Sequence, residues 1–285
     1  MNKRRRKPLL LIPYVLVILI IAILIFLLIP YSKTKSEFNN IILNNTDRTS
    51  KSTENFTLDD IKDLPGPVAK HFLYCGLIGT PKMSYMKAAF QNVNLVSANK
   101  ILKVNYTQYN FVEKPERFAY IESSLFGIPF EGFDSYKDGT GSMKGVIAKL
   151  FPIFDQRGPK MDKACLVTIL AESLFIPNIA LQDYIIWEEI DDTHAKATIT
   201  CYGISASGIF TFNKDGAMIA FRTDDRIATD MDGSEREAEW SAIIEDYQTI
   251  DGIKLPKTLK AVWHFPEGDQ IYFNENGSIV EITYY

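Results

Sequence analysis

Five basic residues, Lys3 to Lys7, run straight into an uncharged apolar stretch from Pro8 to Pro30, and that junction constrains this chain more than any other feature. At about 1.5 Å rise per residue, a helix over the stretch is long enough to cross a hydrocarbon core of roughly 30 Å. A cleaved signal peptide has a shorter apolar region and a small-residue exit of the A-x-A kind. Here the exit reads Leu28-Ile29-Pro30-Tyr31, with no cysteine nearby to take a lipid. A signal sequence that is later removed is therefore the weaker reading. A basic cluster of this kind stays on the cytoplasmic side. The expected layout is a cytoplasmic segment over 1–7, a single transmembrane helix over 8–30, a linker over 31–57 and an extracytoplasmic β-rich domain over 58–285.

The whole chain carries a formal charge of −4, and setting aside the five N-terminal cations leaves −9 for everything beyond them. An acidic outer domain argues against nucleic acid and against adhesion to anionic lipid through charge alone. Cys75, Cys165 and Cys201 are an odd number without framework spacing, so they read as small apolar residues rather than a disulfide scaffold. Residues 32–57 are rich in Asn, Ser, Thr and Lys with little apolar periodicity, which reads as a flexible or weakly helical tether.

Beyond the tether, Pro67 fits the first turn of a helix through Tyr74, closed by Gly76 or Gly79. Residues 83–96, 101–112, 118–125 and 129–136 are dense in aromatic and β-branched types and separated by turn residues, as strands are. Val104, Tyr106, Gln108 and Asn110 share one face, while Asn105, Thr107, Tyr109 and Phe111 share the other. Neither face is cleanly polar, so both are expected to be partly covered. The β pattern breaks over 146–154, and Met161 to Phe175 is apolar around most of a helix's circumference, stopped by Pro177. Strands resume from Tyr184 to the C-terminus. The fold class expected is α+β: an N-terminal transmembrane helix, then a mostly antiparallel curved sheet, a half-barrel, wrapped around a central helical insertion.

Several stretches carry a resemblance to a family of bacterial single-pass membrane-anchored proteins with no assigned reaction. They include Leu64-Pro65-Gly66-Pro67-Val68-Ala69-Lys70-His71-Phe72, Phe151-Pro152-Ile153-Phe154-Asp155-Gln156-Arg157-Gly158, Leu170 to Pro177, Phe221 to Arg226 and Trp263 to Gly268. The chain departs from the family pattern at His71-Phe72, where Arg-Tyr is favoured, and at Phe175, where Trp is favoured. In layout alone it is similar to lipoprotein-carrier half-barrels of the LolA and LppX type. That similarity implies a lipid-binding cavity, although fold does not dictate function.

The candidate ligand-binding residues are Asp155, Arg157, Glu172, Arg226, Trp240 and Trp263. Asp155, Arg157 and Glu172 flank the apolar helical insertion, Arg226 ends a later strand, and the aromatic ones suit an acyl chain. The leading expectation is a membrane-tethered binder of a lipid or other apolar small molecule, with no cofactor. Two alternatives are kept: a hydrolase using Asp155, Glu172 or Asp224-Asp225-Arg226, and an envelope assembly partner. His71, His194 and His264 lack metal-ligand spacing, and Asp230-Met231-Asp232-Gly233 is too short for a calcium loop.

Overall fold

In the computed structural model, residues 7–50, 52–97, 100–125, 127–230, 233–274 and 279–285 are described. The basic residues 3–6, part of the acidic loop at Asp230-Met231-Asp232, and the Asn276-Gly277 turn lie outside them. The apolar N-terminal stretch forms helix α1 (Lys7–Leu28). Among the described residues this is the one stretch long and apolar enough to cross a membrane, and the rest of the protein does not bury it.

The expected tether is corrected over its first half, which is helix α2 (Lys33–Thr46). Ser32 caps it, its hydroxyl accepting from the Lys35 amide at 3.0 Å. Thr34, Phe38, Ile42 and Asn45 fall on one buried face, a helical stripe that the polar average of the segment hides. That face lies on the outside of the sheet, where Phe38 meets the rings of Tyr120 at 5.5 Å, Phe133 at 5.9 Å and Tyr109 at 6.0 Å. The double coverage read from the alternation of Tyr109 and Phe111 is therefore real, and α2 is the cover.

Helix α3 (Gly66–Cys75) has Pro67 in its first turn and ends at Gly76, whose φ of +73° is the left-handed closure that glycine adopts most readily. Six antiparallel strands follow: β1 (Tyr85–Ser97), β2 (Lys100–Phe111), β3 (Glu116–Leu125), β4 (Ile128–Lys137), β5 (Thr140–Ile147) and β6 (Phe151–Arg157). The expected break in the β pattern over 146–154 is corrected, because that span closes β5 and opens β6. An edge strand with one partner needs no alternating core face, so its sequence reads as irregular.

Helices α4 (Pro159–Ala171) and α5 (Pro177–Ala180) interrupt the meander, and Pro177 starts the second helix rather than merely stopping the first. The second run of strands is β7 (Ile185–Asp191), β8 (His194–Cys201), β9 (Ile204–Phe212), β10 (Met218–Thr223), a small outlying hairpin β11 (Ile227–Thr229) and β12 (Glu235–Glu237), then β13 (Glu239–Ile250), β14 (Ile253–Phe265), β15 (Gly268–Asn274) and β16 (Ile279–Tyr284).

All but the outlying hairpin join one sheet in the order β6-β5-β4-β3-β2-β1-β15-β14-β13-β10-β9-β8-β7, with β16 also paired to β1. The sheet does not close, since β6 and β7 are separate edges. It curves instead: α4 packs on β5 from one arm and on β9 from the other. Register shifts in β1, β10 and between β14 and β15 supply local bends beyond ordinary twist. The result is a half-barrel wrapped around a helix whose residues Leu166, Val167, Ile169 and Leu170 are essentially buried.

Gly208 is among the glycines that close packing requires. A Cβ on Gly208 in β9 would sit 2.2 Å from the Phe221 ring and 2.7 Å from the Arg222 carbonyl oxygen. Gly208→Ala is expected to lower stability by about 1–3 kcal/mol, read as a lower urea midpoint, because a rigid ring and a backbone oxygen must both move.

Candidate functional site

Between the concave face of the sheet and helices α3 and α4 lies a cavity of about 210 Å³. Its wall is mainly apolar, with Phe90, Leu95, Val104, Ile121, Phe175 and Phe273 among the contributors. An engineered cavity of about 150 Å³ in another protein stays dry and takes benzene, so this one has room for a somewhat larger apolar group without any movement.

Besides Lys254 and Lys260, charge enters the wall at two places. At the first, Arg117 of β3 is buried beneath the end of α4. Its Nε donates to Glu172 Oε2 at 2.9 Å and its Nη1 to Asp134 Oδ2 at 2.7 Å. Its Nη2 reaches the Tyr106 hydroxyl and Gln108 Oε1. Glu172 Oε2 also accepts from Asn110 Nδ2 at 2.7 Å and Gln108 Nε2 at 3.2 Å. Burial works against the charge on Arg117, but Glu172, Tyr106 and Asp134 outweigh it and hold the guanidinium firmly protonated. Burial also raises the Tyr106 phenol, which stays neutral. None of these side chains leaves a buried polar atom without a partner, so the cluster reads as a rivet fixing α4 to β2, β3 and β4, with one side turned to the cavity.

At the second place, Arg226 follows β10 and donates from Nη1 to Thr168 Oγ1 of α4 at 3.0 Å. Its guanidinium lies 4.7 Å from the Trp240 ring centre and 5.9 Å from that of Trp263. Trp240 Nε1 in turn donates to the Tyr272 hydroxyl at 3.0 Å. Among the described residues no carboxylate lies within ion-pairing distance of Arg226. Aromatic contacts continue from Trp240 of β13 to Phe221 of β10, Phe210 of β9 and, past β8, Trp187 of β7.

Of the six residues expected from sequence, Glu172, Arg226 and Trp240 line the cavity, and Trp263 stands behind Arg226. Asp155 and Arg157 are corrected: they pair with each other at 2.8 Å on the exposed edge strand β6 and take no part in the cavity wall. The carboxylates suggested for hydrolysis do not converge. Glu172 is held by Arg117, and Asp225 accepts from Lys163 at 2.5 Å and from the Ser207 amide at 2.7 Å. Burial would raise the Asp225 carboxyl, but these donors outweigh it and leave it below its ordinary value. Sequence reasoning missed Arg117 and Asp134. The available signal was the shared face of Gln108 and Asn110, because amides on a core-facing side demand buried partners.

At the far end, His71 and Cys75 sit one turn apart on α3 with Nε2 and Sγ 3.4 Å apart. His71 Nδ1 lies 2.9 Å from the Gly216 carbonyl oxygen. Burial holds the imidazole down to about 4 and pushes the thiol up to about 12, so both are neutral near pH 7 and no thiolate is prepared for attack. An unfolded imidazole protonates near 6.5, well before the folded one. Stability is therefore fully present above about pH 6.5 and falls as pH drops toward 4, by up to about 3 kcal/mol. Unfolding midpoints measured across that window should show the loss, and His71→Gln should flatten it. Among the described residues no three His, Cys, Asp or Glu side chains are grouped as metal ligands, and all three cysteines are free thiols.

An open antiparallel sheet folded over a helix, with an apolar cavity and a few fixed charges between them, defines a half-barrel. The chain belongs to a family of unknown function (DUF6544), which matches residues 54–275. Among solved structures it is similar to a LolA superfamily protein from Nitrosomonas europaea, with 10% identity and a TM-score of 0.40 over 76% of this chain and 93% of that one. It is also similar to a DUF1329 family protein from Desulfovibrio piger, with 11% identity and a TM-score of 0.34 over 77% of this chain and 93% of that one. A search of curated proteins finds no match.

Proposed function

We propose that this protein is a membrane-anchored, extracytoplasmic domain that binds a lipid or another apolar ligand in its half-barrel. The observation that carries this reading is the cavity itself, a mainly apolar space beside an extensive buried core. The uncharged run of α1 beyond Lys7 and the basic cluster that leads into it support the anchor and its orientation, with the N-terminus cytoplasmic. No protein or nucleic-acid partner is part of the reading.

Ligand sites for drug-sized molecules measure roughly 300–1,000 Å³, so a long chain would need more room than the cavity now has. Leu174 and Phe175, in the turn between α4 and α5, form part of the wall and are the natural segment to yield. The test is organic extraction of the purified full chain followed by mass spectrometry. A lipid recovered in stoichiometric amount is the expected result, and an empty extract from folded protein would overturn the reading. Ala242 faces the cavity from β13. Ala242→Phe is expected to cut recovered ligand at least several-fold with little change in melting temperature. Unchanged loading would mean the ligand sits elsewhere.

A further inference from the structure

We infer that the end of the sheet nearest α1 is a bilayer-docking surface, built from three hairpin ends that rest in the headgroup region beside the anchor. The inference rests on the anchor reading above. Its starting point is distance. Only residues 29–32 separate α1 from α2, and four residues span at most about 14 Å. Because α2 is packed on the sheet rather than free, the domain has no further slack.

The direction of α2 says which end of the sheet is held close. Its first turn is tied to the end of β3 by Lys35 Nζ and Glu122 Oε1 at 2.8 Å. Its last turn is tied to the start of β3 by Asn45 Nδ2 and Glu116 Oε2 at 2.6 Å. The end of β3 is where the β3–β4 hairpin closes, at Leu125 and Ile128. In a meander every second connection falls at the same end, so the β1–β2 closure at Ser97 and Lys100 and the β5–β6 closure at Ile147 and Phe151 lie there too. The β5–β6 turn touches the anchor directly. Lys149 Nζ donates to the Phe26 carbonyl at 3.3 Å and to that of Ile29, and it sits 5.9 Å from the Phe26 ring centre. A lysine at the last carbonyls of a membrane helix sits at interface depth, its ammonium with the headgroups and its stem toward the chains.

The residues displayed at that end are apolar where water-facing turns are normally polar. Ile101 is 67% exposed, Leu150 61%, Phe151 62% and Ile128 39%. They come from three separate hairpins, so their shared position is a product of topology rather than of one irregular loop. The headgroup region is roughly 5–8 Å deep on each side of a bilayer, within reach of a rim held this close. A lipid surface is therefore the partner that fits: it is already present at the end of α1, and it accepts isolated aliphatic and aromatic side chains without requiring shape.

The full chain, reconstituted into phosphatidylcholine–phosphatidylglycerol vesicles with brominated acyl chains, tests this by tryptophan quenching measured against the parent chain. Phe151→Trp is the probe, Phe26→Trp reports the anchor, and Ile219→Trp, half-exposed near the opposite end of β10, reports the aqueous face. The expected result is quenching of the Phe151→Trp signal several-fold above that of Ile219→Trp, with a blue-shifted emission. Quenching of Phe26→Trp alone would overturn the docking surface and leave the anchor standing. No quenching of either would overturn both. Should Phe151→Trp fail to fold, Leu150→Trp gives the same readout from the adjacent position.

Discussion

Arg117→Met is expected to destabilise the outer domain by about 3–5 kcal/mol, the cost of leaving a buried charge pair half broken. The guanidinium is the shared donor for Glu172 and Asp134 and also reaches Tyr106 and Gln108. Its removal strands two carboxylates in a low-dielectric pocket, with Glu172 keeping only the Asn110 and Gln108 amides. Combining Arg117→Met with Glu172→Gln should recover part of the loss, because the stranded charge is then gone. Urea unfolding of the single and double variants measures both. Simple additivity would mean the two residues do not act as a unit, contrary to their 2.9 Å contact. Because Glu172 closes α4, the same substitution should also loosen the cavity wall and reduce bound ligand.

Phe38→Ala is the second large effect, at about 3–5 kcal/mol for α2 docking. Phe38 is the centre of a small core on the outer face, shared with Ile42, Phe111, Phe118, Tyr120 and Phe133, and separate from the main core. The consequence is local. The sheet keeps its own core, so α2 should detach while the half-barrel survives. Hydrogen exchange over residues 33–46 reads this directly: protection present in the parent and lost in the variant is expected. Equal exchange in both would show that α2 behaves as a tether in solution. Released α2 would also free the domain from the bilayer, so quenching at position 151 should fall with it.

Much of the fold was legible because strands carry their own signal. The alternation through Val104, Tyr106, Gln108 and Asn110 and the aromatic and β-branched density of 118–125 and 129–136 place β2 to β4 with little help from context. The apolar circumference of α4 likewise announced a helix enclosed on all sides. What failed did so for identifiable reasons. The stripe of Thr34, Phe38, Ile42 and Asn45 contains only two large apolar residues, too few to stand out until the aromatic surface it covers is known. Asp155 and Arg157 were read as lining residues because they precede α4 in sequence, but an edge strand turns both to solvent. Arg226 and Trp240 meet because β13 pairs with β10, a neighbourhood of register rather than of sequence.

The sequence by itself determined the apolar N-terminal helix, the β-rich meander and the buried helix within it, since each depends on local periodicity and side-chain type. Tertiary structure decided what those elements enclose and face. Arg117, Asp134 and Glu172 become one cluster only when β3, β4 and α4 close on each other. The three hairpin ends share one side only because a meander returns every second turn to the same end, and α2 holds that end close to α1. Both depend on contacts between residues far apart in the chain, and spacing along a sequence carries no record of those distances.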